Sequence, residues 1–493
     1  MAMMEELHVD VAVVGGGPAG MSAALAASQA GLSVALIDEY AAPGGQIWRR
    51  RFDDVGEAAP RSLPGAAREL CAALAASTVR VLSGASVWAA TARPDAAPGG
   101  LALQGHVGPA HELLLTGPVE RVRAGAVVLA TGAYDRPIAF PGWTLPGVMT
   151  AGGAQALAKG QGVVPGRRVL LAGAGPFLLP VAAQLAASGA QVVAVAEASR
   201  RRDWVRVSPR MSGHPGKLKE YLGYRTKVRR IEWGHVLVRA SGDVRVESAT
   251  IAECGPDWAP TGRERTFAVD AVCTAYGFLP SVDLARALGC ELRGDAVAHD
   301  ADMATSVPGV FVAGEASGIG GSDLAQVEGE LAGWMAATYV GTLGKSGNGT
   351  AARRDGGNGH AAADGARPGP HHADVPALRA RRAKLASFAG ILGELFDPRP
   401  GLRSLATPDT ILCRCEDVTQ GTVDAAVAGG AASMAALKVV TRCGQGPCQG
   451  RTCERLVASR LPEAPARFSS RAPMRPVQLD VLIKTATDSS SSA

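Results

Sequence analysis

The sequence has few aromatic residues and no long apolar run. Phe, Trp and Tyr make up 4% of its 493 residues, and no run reaches the roughly 18 apolar residues of a membrane span. The formal net charge is only +5, and no Lys/Arg stripe with interleaved aromatics indicates a nucleic-acid binder. The short, acidic amino terminus lacks the basic and apolar segments of a signal peptide. These absences predict a cytoplasmic protein that is not integral to a membrane and binds no nucleic acid.

The cysteines are unevenly distributed. Cys71, Cys254, Cys273 and Cys290 are scattered, whereas Cys413, Cys415, Cys443, Cys448 and Cys453 lie close together. Because disulfides are rare in a reducing cytoplasm, such a local group indicates metal or redox chemistry. Neither a Ser/His/Asp order nor a His-rich motif accompanies it. The sequence therefore identifies no catalytic residue.

Alternating apolar strands and Ala/Leu-rich helical patterns run from about residue 9 to residue 340. This alternation is typical of βαβ units and predicts an α/β fold with parallel sheets. Residues 344–375 contain almost no large apolar residue, which predicts a flexible linker. A helix over 376–400, a cysteine-rich domain over 401–465 and a tail over 466–493 are predicted to follow.

The first glycine-rich turn lies between an apolar strand and a helical segment near the amino terminus. Gly15 allows a tight turn, Gly17 lets the backbone approach a pyrophosphate, and Gly20 lets the helix pack against the strand. The helix N-terminus offers free N–H groups to phosphates. Asp38 ends the next strand, where a carboxylate accepts hydrogen bonds from ribose hydroxyls. This motif therefore predicts a dinucleotide site, with Pro18, Ala19 and Glu39 as further binding residues.

Three later segments favour FAD as this dinucleotide. A Gly-Gly-Gln segment follows the acid, where flavoproteins with two dinucleotide domains pass the chain near the flavin. One further strand ends in Thr-Gly, and another ends in Gly-Glu, which resembles the second FAD signature of glutathione-reductase-like flavoproteins. There the acid, commonly Asp, meets the ribityl chain. The candidate residues in these segments are Gly45, Gln46, Thr131, Gly132, Gly314 and Glu315.

A second glycine-rich turn, with Gly173 and Gly175, follows another apolar strand. The resemblance implies a discontinuous FAD domain (1–150 and 265–343) with an inserted NAD(P)-like domain (151–264). Leu178 replaces the third glycine of the motif, which predicts a helix held further from the strand and an altered phosphate pocket. Glu197 would favour an unphosphorylated ribose. NAD(P), another adenine nucleotide or no nucleotide at all remain open for this domain.

The cysteine-rich segment has the donors of a metal centre. Cys413 and Cys415 form a Cys-x-Cys pair, and Cys448 and Cys453 form a Cys-x4-Cys pair. Four thiolates from two loops can enclose a [2Fe–2S] cluster, because each iron needs two soft ligands besides the bridging sulfides. Four thiolates also suit a structural Zn²⁺. The spacing alone leaves both metals open.

The sequences of two segments, 413–419 and 441–453, closely resemble the [2Fe–2S] domain related to bacterioferritin-associated ferredoxin. The resemblance implies that Cys413, Cys415, Cys448 and Cys453 are the cluster ligands. Cys443 falls where relatives commonly have a small residue that is not a ligand. The resemblance therefore favours a [2Fe–2S] cluster over zinc and leaves Cys443 as a spare thiol, with substitution for a ligand or oxidation still open to it.

The order of all these parts is similar to one group of flavoproteins over nearly the whole chain. This group comprises the A or α subunits of opine oxidase, hydrogen cyanide synthase, and D-hydroxyproline and proline dehydrogenases. Segments 142–148, 277–280 and 314–321 support the resemblance. It implies a glutathione-reductase-like α/β fold with two dinucleotide-binding domains and a small C-terminal helical [2Fe–2S] domain. It also implies a β subunit of the D-amino-acid-oxidase type, and it leaves open a small third subunit and FMN at the interface between subunits.

Three functions are compatible with these features. The first is an electron-transferring subunit of a multi-subunit dehydrogenase acting on CH–NH donors, which passes electrons to a quinone or cytochrome chain. The second is a self-sufficient NAD(P)H-dependent reductase, against which Leu178 argues. The third is an iron–sulfur redox sensor, which has no need of a two-part FAD site. The resemblance puts the amine pocket on the β subunit, so opines, hydroxyproline, proline and glycine all remain open as substrates.

Overall fold

The computed structural model describes residues 5–92 except 55, residues 111–346 except 212, 215, 217–221 and 229, residues 374–461, residue 468 and residues 472–483. Among these residues, no helix has the length and apolar character needed to cross a membrane. The described residues form two compact units. The first lies within Met1–Ala133, Pro280–Ala386 and Arg471–Ala493, and the second within Tyr134–Leu279 and Ser387–Ser470.

The strands, in chain order, are β1 (Glu6–Val14), β2 (Val34–Asp38), β3 (Arg80–Ser83), β4 (Ser86–Ala92), β5 (His111–Thr116), β6 (Arg121–Leu129), β7 (Ala133–Asp135), β8 (Val148–Thr150), β9 (Arg168–Gly173), β10 (Gln191–Glu197), β11 (Ile231–Trp233), β12 (His235–Ser241), β13 (Ser248–Cys254), β14 (Pro260–Ala268), β15 (Ala271–Ala275), β16 (Phe278–Pro280), β17 (Leu292–Arg293), β18 (Ala296–Val297), β19 (Val310–Val312), β20 (Ile411–Cys413) and β21 (Val418–Thr419). The α-helices are α1 (Pro18–Gln29), α2 (Gly65–Ala75), α3 (Ala151–Gln161), α4 (Leu178–Ala187), α5 (Arg201–Met211), α6 (Asp283–Ala287), α7 (Ser322–Ser346), α8 (Asp374–Phe396), α9 (Gln420–Ala428), α10 (Met434–Thr441) and α11 (Glu454–Ala458). Short 3₁₀ helices span Phe52–Asp54, Gly314–Ala316 and Pro400–Ser404.

The first unit is built on a sheet with the strand order β3-β2-β1-β6-β5-β4, and β19 also pairs with β6. The pairs β1–β2, β1–β6, β2–β3 and β6–β19 are parallel. Strands β4 and β5 add an antiparallel edge. All five residues of β2 are buried, as expected for a parallel strand covered on both faces. The carboxyl ends of β1 and β2 therefore open at one edge of the sheet, where the first glycine turn lies.

Helices α1 and α7 pack closely, and glycines make this possible. A Cβ atom on Gly329 of α7 would lie 2.0 Å from the carbonyl oxygen of Ala19, and one on Gly333 would lie 2.3 Å from that of Ala23. Larger side chains at these two positions would push α7 away from α1. This contact fixes the helix that follows the second FAD signature against the helix that follows the first glycine turn.

The second unit contains a parallel sheet with the order β11-β10-β9-β15-β8. An antiparallel sheet of β12, β13 and β14 packs with it. Trp258 and Tyr276 are the largest fully buried side chains of this unit. These parallel sheets in both units confirm the predicted α/β class.

The cysteine-rich segment folds as β20 and β21 with helices α9, α10 and α11. Its apolar residues share one hydrophobic cluster with the parallel sheet of the second unit, including Leu412 and Leu437 beside Trp258 and Tyr276. A module of about 50 residues buries too little surface for a large core of its own. Packing on the rest of the second unit supplies the missing core.

The predicted linker and the helix after it have different bounds in the structure. Helix α7 continues to Ser346 and α8 begins at Asp374, so most of the predicted linker lies outside the described residues. Helix α8 ends at Phe396, just before the two prolines Pro398 and Pro400. In the predicted tail, the amide of Met474 donates to the carbonyl oxygen of Trp88 at 2.8 Å. The predicted domain bounds themselves remain predictions.

Candidate functional site

The first glycine turn has the backbone geometry that a dinucleotide site needs. Gly15 has a φ of +108°, and a Cβ there would lie 2.2 Å from the carbonyl oxygen of Ala130. A Cβ on Gly20 would lie 1.7 Å from the carbonyl oxygen of Gly15. Around Gly17 the nearest atom to such a Cβ is 3.9 Å away. Gly17 caps α1 without any side-chain acceptor, so the N–H groups of Ala19 and Gly20 remain for an anion.

Asp38 supplies the acid of this turn. Its side chain is 4% exposed, and Oδ1 accepts a hydrogen bond from the amide of Tyr40 at 3.1 Å. Oδ2 is buried against Gly16 and has no hydrogen-bond partner. Burial raises the pKa of Asp38 to about 6. A buried carboxylate oxygen without a partner is costly, and a ribose hydroxyl would satisfy it. The residues of the turn thus fit the adenosine half of FAD.

The segment after the acid lies directly on the turn. The amide of Gly44 donates to the carbonyl oxygen of Gly16 at 2.8 Å, and a Cβ on Gly45 would lie 2.8 Å from Cα of Gly17. Gln46 donates from Nε2 to the hydroxyl of Tyr40 at 2.5 Å. The structure therefore brings Gly45 to the glycine turn, whereas the Gln46 side chain bonds to Tyr40, and contact of either residue with FAD stays a prediction. The carboxylate of the neighbouring Glu39 lies 3.6 Å from the guanidinium of Arg475.

Thr131 and Gly132 lie where β6 leaves the sheet. The hydroxyl of Thr131 donates to the carbonyl oxygen of Ser281 at 2.6 Å. The amide of Ser281 donates back to the carbonyl oxygen of Gly132 at 2.9 Å. Gly132 has a φ of +70° with open space around its Cα. These bonds join the two sequence-distant parts of the FAD domain at one edge of the sheet.

The second FAD signature forms a tight loop after β19. Gly314 has a φ of +68° and packs on the methyl group of Ala19. Oε1 of Glu315 accepts hydrogen bonds from the amides of Gly320 and Gly321, at 3.3 and 2.7 Å. Burial raises the pKa of Glu315. In this structure the carboxylate holds the loop before α7, and its predicted contact with the ribityl chain remains a prediction.

Glu328, a buried acid of α7 that contacts this loop, was missed by the sequence analysis. Its side chain is 2% exposed, and Oε2 accepts from the amide of Gly314 at 3.1 Å and the hydroxyl of Ser317 at 2.7 Å. Nε of Arg382 donates to Oε1 at 3.0 Å. The sequence could have indicated Glu328, because it is an acid within the largely apolar α7. Nothing in the sequence indicated that Arg382 is the partner of Glu328, because Arg382 lies beyond the linker.

The second glycine turn has a different arrangement. A Cβ on Gly173 would lie 1.8 Å from the carbonyl oxygen of Ala275, so this glycine is required by packing. Leu178 begins α4 and is 1% exposed within an apolar cluster. Glu197 is 5% exposed and accepts from the amides of Gly175 at 3.3 Å and Ser199 at 3.0 Å. Burial raises the pKa of Glu197 to about 7.

The five cysteines of the C-terminal module lie in two neighbouring groups. The thiols of Cys443 and Cys453 donate to the sulfur of Cys413, which holds the pKa of Cys413 well below its ordinary value. Cys415 pairs with Cys448. Cys413, Cys443 and Cys453 are buried, whereas Cys415 is exposed. Among the described residues, no three His, Cys, Asp or Glu side chains are arranged to hold one metal ion.

This donor set fits the chemistry of a [2Fe–2S] cluster. Cys413 interacts with Cys443 and Cys453, and Cys415 interacts with Cys448, so these neighbouring thiols can supply the two thiolates that each iron of such a cluster needs. A Cβ on Gly446 would lie 2.3 Å from Cβ of Cys415, so the loop can approach the ligand only with glycine there. The burial of Cys443 beside Cys413 was not expected from the sequence.

Two family models match the chain. Residues 9–339 match the pyridine nucleotide-disulphide oxidoreductase family, and residues 411–461 match the BFD-like [2Fe-2S] binding domain. The chain therefore belongs to the pyridine nucleotide-disulphide oxidoreductase family, with a [2Fe–2S] module at its carboxyl end. The first match implies FAD and the second implies the [2Fe–2S] cluster, so the chain is an oxidoreductase of flavoprotein type.

Individual relatives make the assignment more specific. The chain is 33% identical to the A subunit of opine oxidase from Agrobacterium tumefaciens (strain Ach5), over 95% of this chain and 90% of the relative. It is 30% identical to the HcnB subunit of hydrogen cyanide synthase from Pseudomonas protegens, over 96% of this chain and 97% of the relative. The L-proline dehydrogenase structure from P. horikoshii aligns with a TM-score of 0.64 and 21% identity, covering 98% of this chain and 81% of that one. The chain is thus of the same type as the opine oxidase and HcnB relatives, which are subunits of larger enzymes.

Proposed function

We propose that the chain is the electron-transferring subunit of a multi-subunit amine dehydrogenase. In this proposal a β subunit of the D-amino-acid-oxidase type oxidises a CH–NH bond, and the present chain passes the electrons on to a quinone or cytochrome chain. The substrate class is that of opines, proline, hydroxyproline or glycine. FMN at the interface between subunits and a small third subunit belong to the same proposal.

One observation carries the proposal: a single chain combines an FAD cradle with a four-thiolate cluster site. Asp38 in the cradle has a buried oxygen without a hydrogen-bond partner, and the five cysteines of the module lie in two neighbouring groups. When bound, FAD accepts an electron pair and a [2Fe–2S] cluster carries single electrons. A chain with both suits the division of a hydride-derived pair into a one-electron route.

The residues of the chain have distinct tasks in this scheme. The amides of the first glycine turn bind the pyrophosphate and Asp38 binds the ribose. Glu328 and Arg382 hold the loop that begins at Gly314. Buried Cys413 and Cys453 keep water from one side of the cluster site, while exposed Cys415 lies on its outer side. We expect the acceptor to approach on the side of Cys415.

The proposal is tested by anaerobic titration of the complex between this chain and a D-amino-acid-oxidase-type subunit. An amine substrate should bleach the flavin of the complex, and the same amine should leave the isolated chain oxidised. NADH should reduce neither sample. Rapid bleaching of the isolated chain by NADH would instead identify a self-sufficient NADH-dependent reductase.

A further inference from the structure

The second dinucleotide-type domain has a property that its sequence motif does not reveal. We infer that its cleft holds the end of helix α8 of this same chain in place of a nucleotide. The domain is closed to NAD(P) and docks the cysteine module instead. This inference does not depend on the proposed electron relay, since it concerns contacts within the second unit alone.

The hydrogen-bonding groups of the cleft satisfy one another. In an open dinucleotide site the amides of the glycine turn face a phosphate, and the acid of the next strand faces a ribose. Here the amide of Gly175 donates to Oε2 of Glu197 at 3.3 Å, and Oε1 accepts from the amide of Ser199 at 3.0 Å. A nucleotide would have to displace a buried acid from these bonds. Asp38 of the first turn, by contrast, keeps one buried oxygen without a partner.

Aromatic rings cover the turn. Phe396, the last residue of α8, lies 3.9 Å from the Cβ position of Gly175. The ring of Trp204 packs edge-on against Phe396, with centroids 5.5 Å apart, and against Trp233 at 6.0 Å. Nε1 of Trp204 donates to the hydroxyl of Ser199 at 3.1 Å, which fixes the indole.

The space that remains is too small for a cofactor. The cavity between Gly175, Glu197, Trp204 and Trp233 has a volume of about 10 Å³, enough for about one water molecule. Cofactor pockets enclose roughly 300–1,000 Å³. An open groove of about 400 Å³ is bordered by Arg201, Trp204, Arg225 and Trp233, and neither Gly175 nor Glu197 lines it.

Ion pairs fasten the end of α8 in this position. Arg210 of α5 donates to a carboxylate oxygen of Glu394 at 2.6 Å, and Arg206 lies 3.6 Å from the other. Leu395 is fully buried. The end of α8 is thus held by its charged neighbours as well as by its apolar residues.

The chain beyond α8 stays on the same domain. The amide of Gly401 donates to the carbonyl oxygen of Asp257 at 2.9 Å, and a Cβ on Gly401 would lie 2.2 Å from the amide nitrogen of Ala259. Nε1 of Trp143 then donates to the carbonyl oxygen of Ile411 at 2.6 Å, two residues before Cys413. Residues of the second unit therefore set the position of the first cluster loop.

The first test uses the unmodified, FAD-loaded chain with its cluster intact. NADH and NADPH are titrated to about 1 mM while the quenching of tryptophan fluorescence and the flavin absorption are followed. We expect no saturable quenching and no bleaching. Saturable binding of either nucleotide with a Kd in the micromolar range would overturn the inference.

The second test removes the aromatic ring that covers the turn. Phe396→Ala should lower the Tm of the holoprotein by at least about 5 °C and speed the loss of cluster absorption at least threefold. Phe52→Ala, at an 82% exposed aromatic in the first unit, is the matched control and should change neither. A Phe396→Ala chain with unchanged Tm and cluster lifetime would overturn the docking role. If that variant fails to fold, the nucleotide titration of the unmodified chain still decides the inference.

Discussion

Nε of Arg382 lies 3.0 Å from Oε1 of Glu328, so a residue beyond the linker neutralises a buried acid of the FAD domain. Oε2 of the same carboxylate accepts from the amide of Gly314 in the second FAD signature. The carboxylate of Glu328 thus joins the loop of the cofactor site to the first part of α8. Loss of Arg382 should therefore affect FAD binding as well as stability.

Arg382→Ala should leave the carboxylate of Glu328 buried without its ion-pair partner. We expect a loss of about 2–3 kcal/mol in the free energy of unfolding, less than for a fully buried pair because Arg382 is partly exposed. The rate of FAD release should rise in parallel, as measured by recovery of flavin fluorescence. Arg381→Ala, at the exposed neighbouring position, is the control. Unchanged FAD release in Arg382→Ala would contradict the role of this ion pair.

Asp38→Asn should stabilise the FAD-free chain while weakening FAD binding. The pKa of Asp38 is raised from 3.8 to about 6 by burial, so the folded state holds the proton more tightly than the unfolded state. The stability that protonated Asp38 contributes is complete below pH 3.8 and is lost as the pH rises through about 6. At pH 8 the substitution should therefore raise the free energy of unfolding of the FAD-free chain by about 2–3 kcal/mol.

Thermal unfolding of the FAD-free Asp38→Asn and unmodified chains at several pH values checks this prediction. The gain should shrink towards about pH 4, where the carboxylate is protonated in the folded state. Glu57→Gln, at an exposed position elsewhere in the first unit, should leave the pH profile unchanged. An equal gain at every pH would show that the charge of Asp38 is not its cause.

Replacement of single cysteines should separate ligands from the spare thiol. Cys448→Ser and Cys453→Ser should abolish the visible absorption of the [2Fe–2S] cluster, because each iron loses one of its two thiolates. Cys443→Ser should retain it, since Cys443 contacts Cys413 but is not a predicted ligand. Iron, sulfide and zinc analyses of the purified variants accompany the spectra. A colourless, zinc-containing module in the unmodified chain would refute the cluster assignment.

Trp143→Phe should loosen the first cluster loop. The substitution keeps an aromatic ring but removes the hydrogen bond from Nε1 to the carbonyl oxygen of Ile411. A lost buried hydrogen bond of this kind costs about 1–3 kcal/mol. The cluster should be lost faster on dilution into chelator, while the flavin spectrum stays unchanged. Identical rates of cluster loss in both proteins would show that this bond does not hold the loop.

Much of the fold and of the first site was predictable because it depends on local sequence. The glycines at 15, 17 and 20 and the acid at 38 lie within one strand–turn–helix–strand unit, so their spacing determined their arrangement. The two cysteine pairs were equally evident from their spacing. The structure places Asp38 against the glycine turn, and the binding of FAD and of the cluster by these residues stays a prediction.

The remaining features depend on segments that are distant in the sequence. The sequence analysis correctly placed Glu197 at the end of a strand. It did not predict that Phe396, almost two hundred positions later, covers the glycine turn to which Glu197 bonds. The partner of Glu328 likewise lies beyond the linker. Contacts between such segments leave no periodic pattern, and only the folded chain reveals them.

The most direct test of the electron relay uses the complex of this chain, intact or with Cys448→Ser, and a D-amino-acid-oxidase-type subunit. Under anaerobic conditions an amine substrate is added, and a quinone analogue serves as the acceptor. With the intact chain we expect flavin bleaching, an EPR signal of the reduced cluster, and reduction of the acceptor. With Cys448→Ser we expect flavin bleaching to persist while the EPR signal and acceptor reduction are lost. Acceptor reduction at the same rate in both complexes would contradict the relay through this chain.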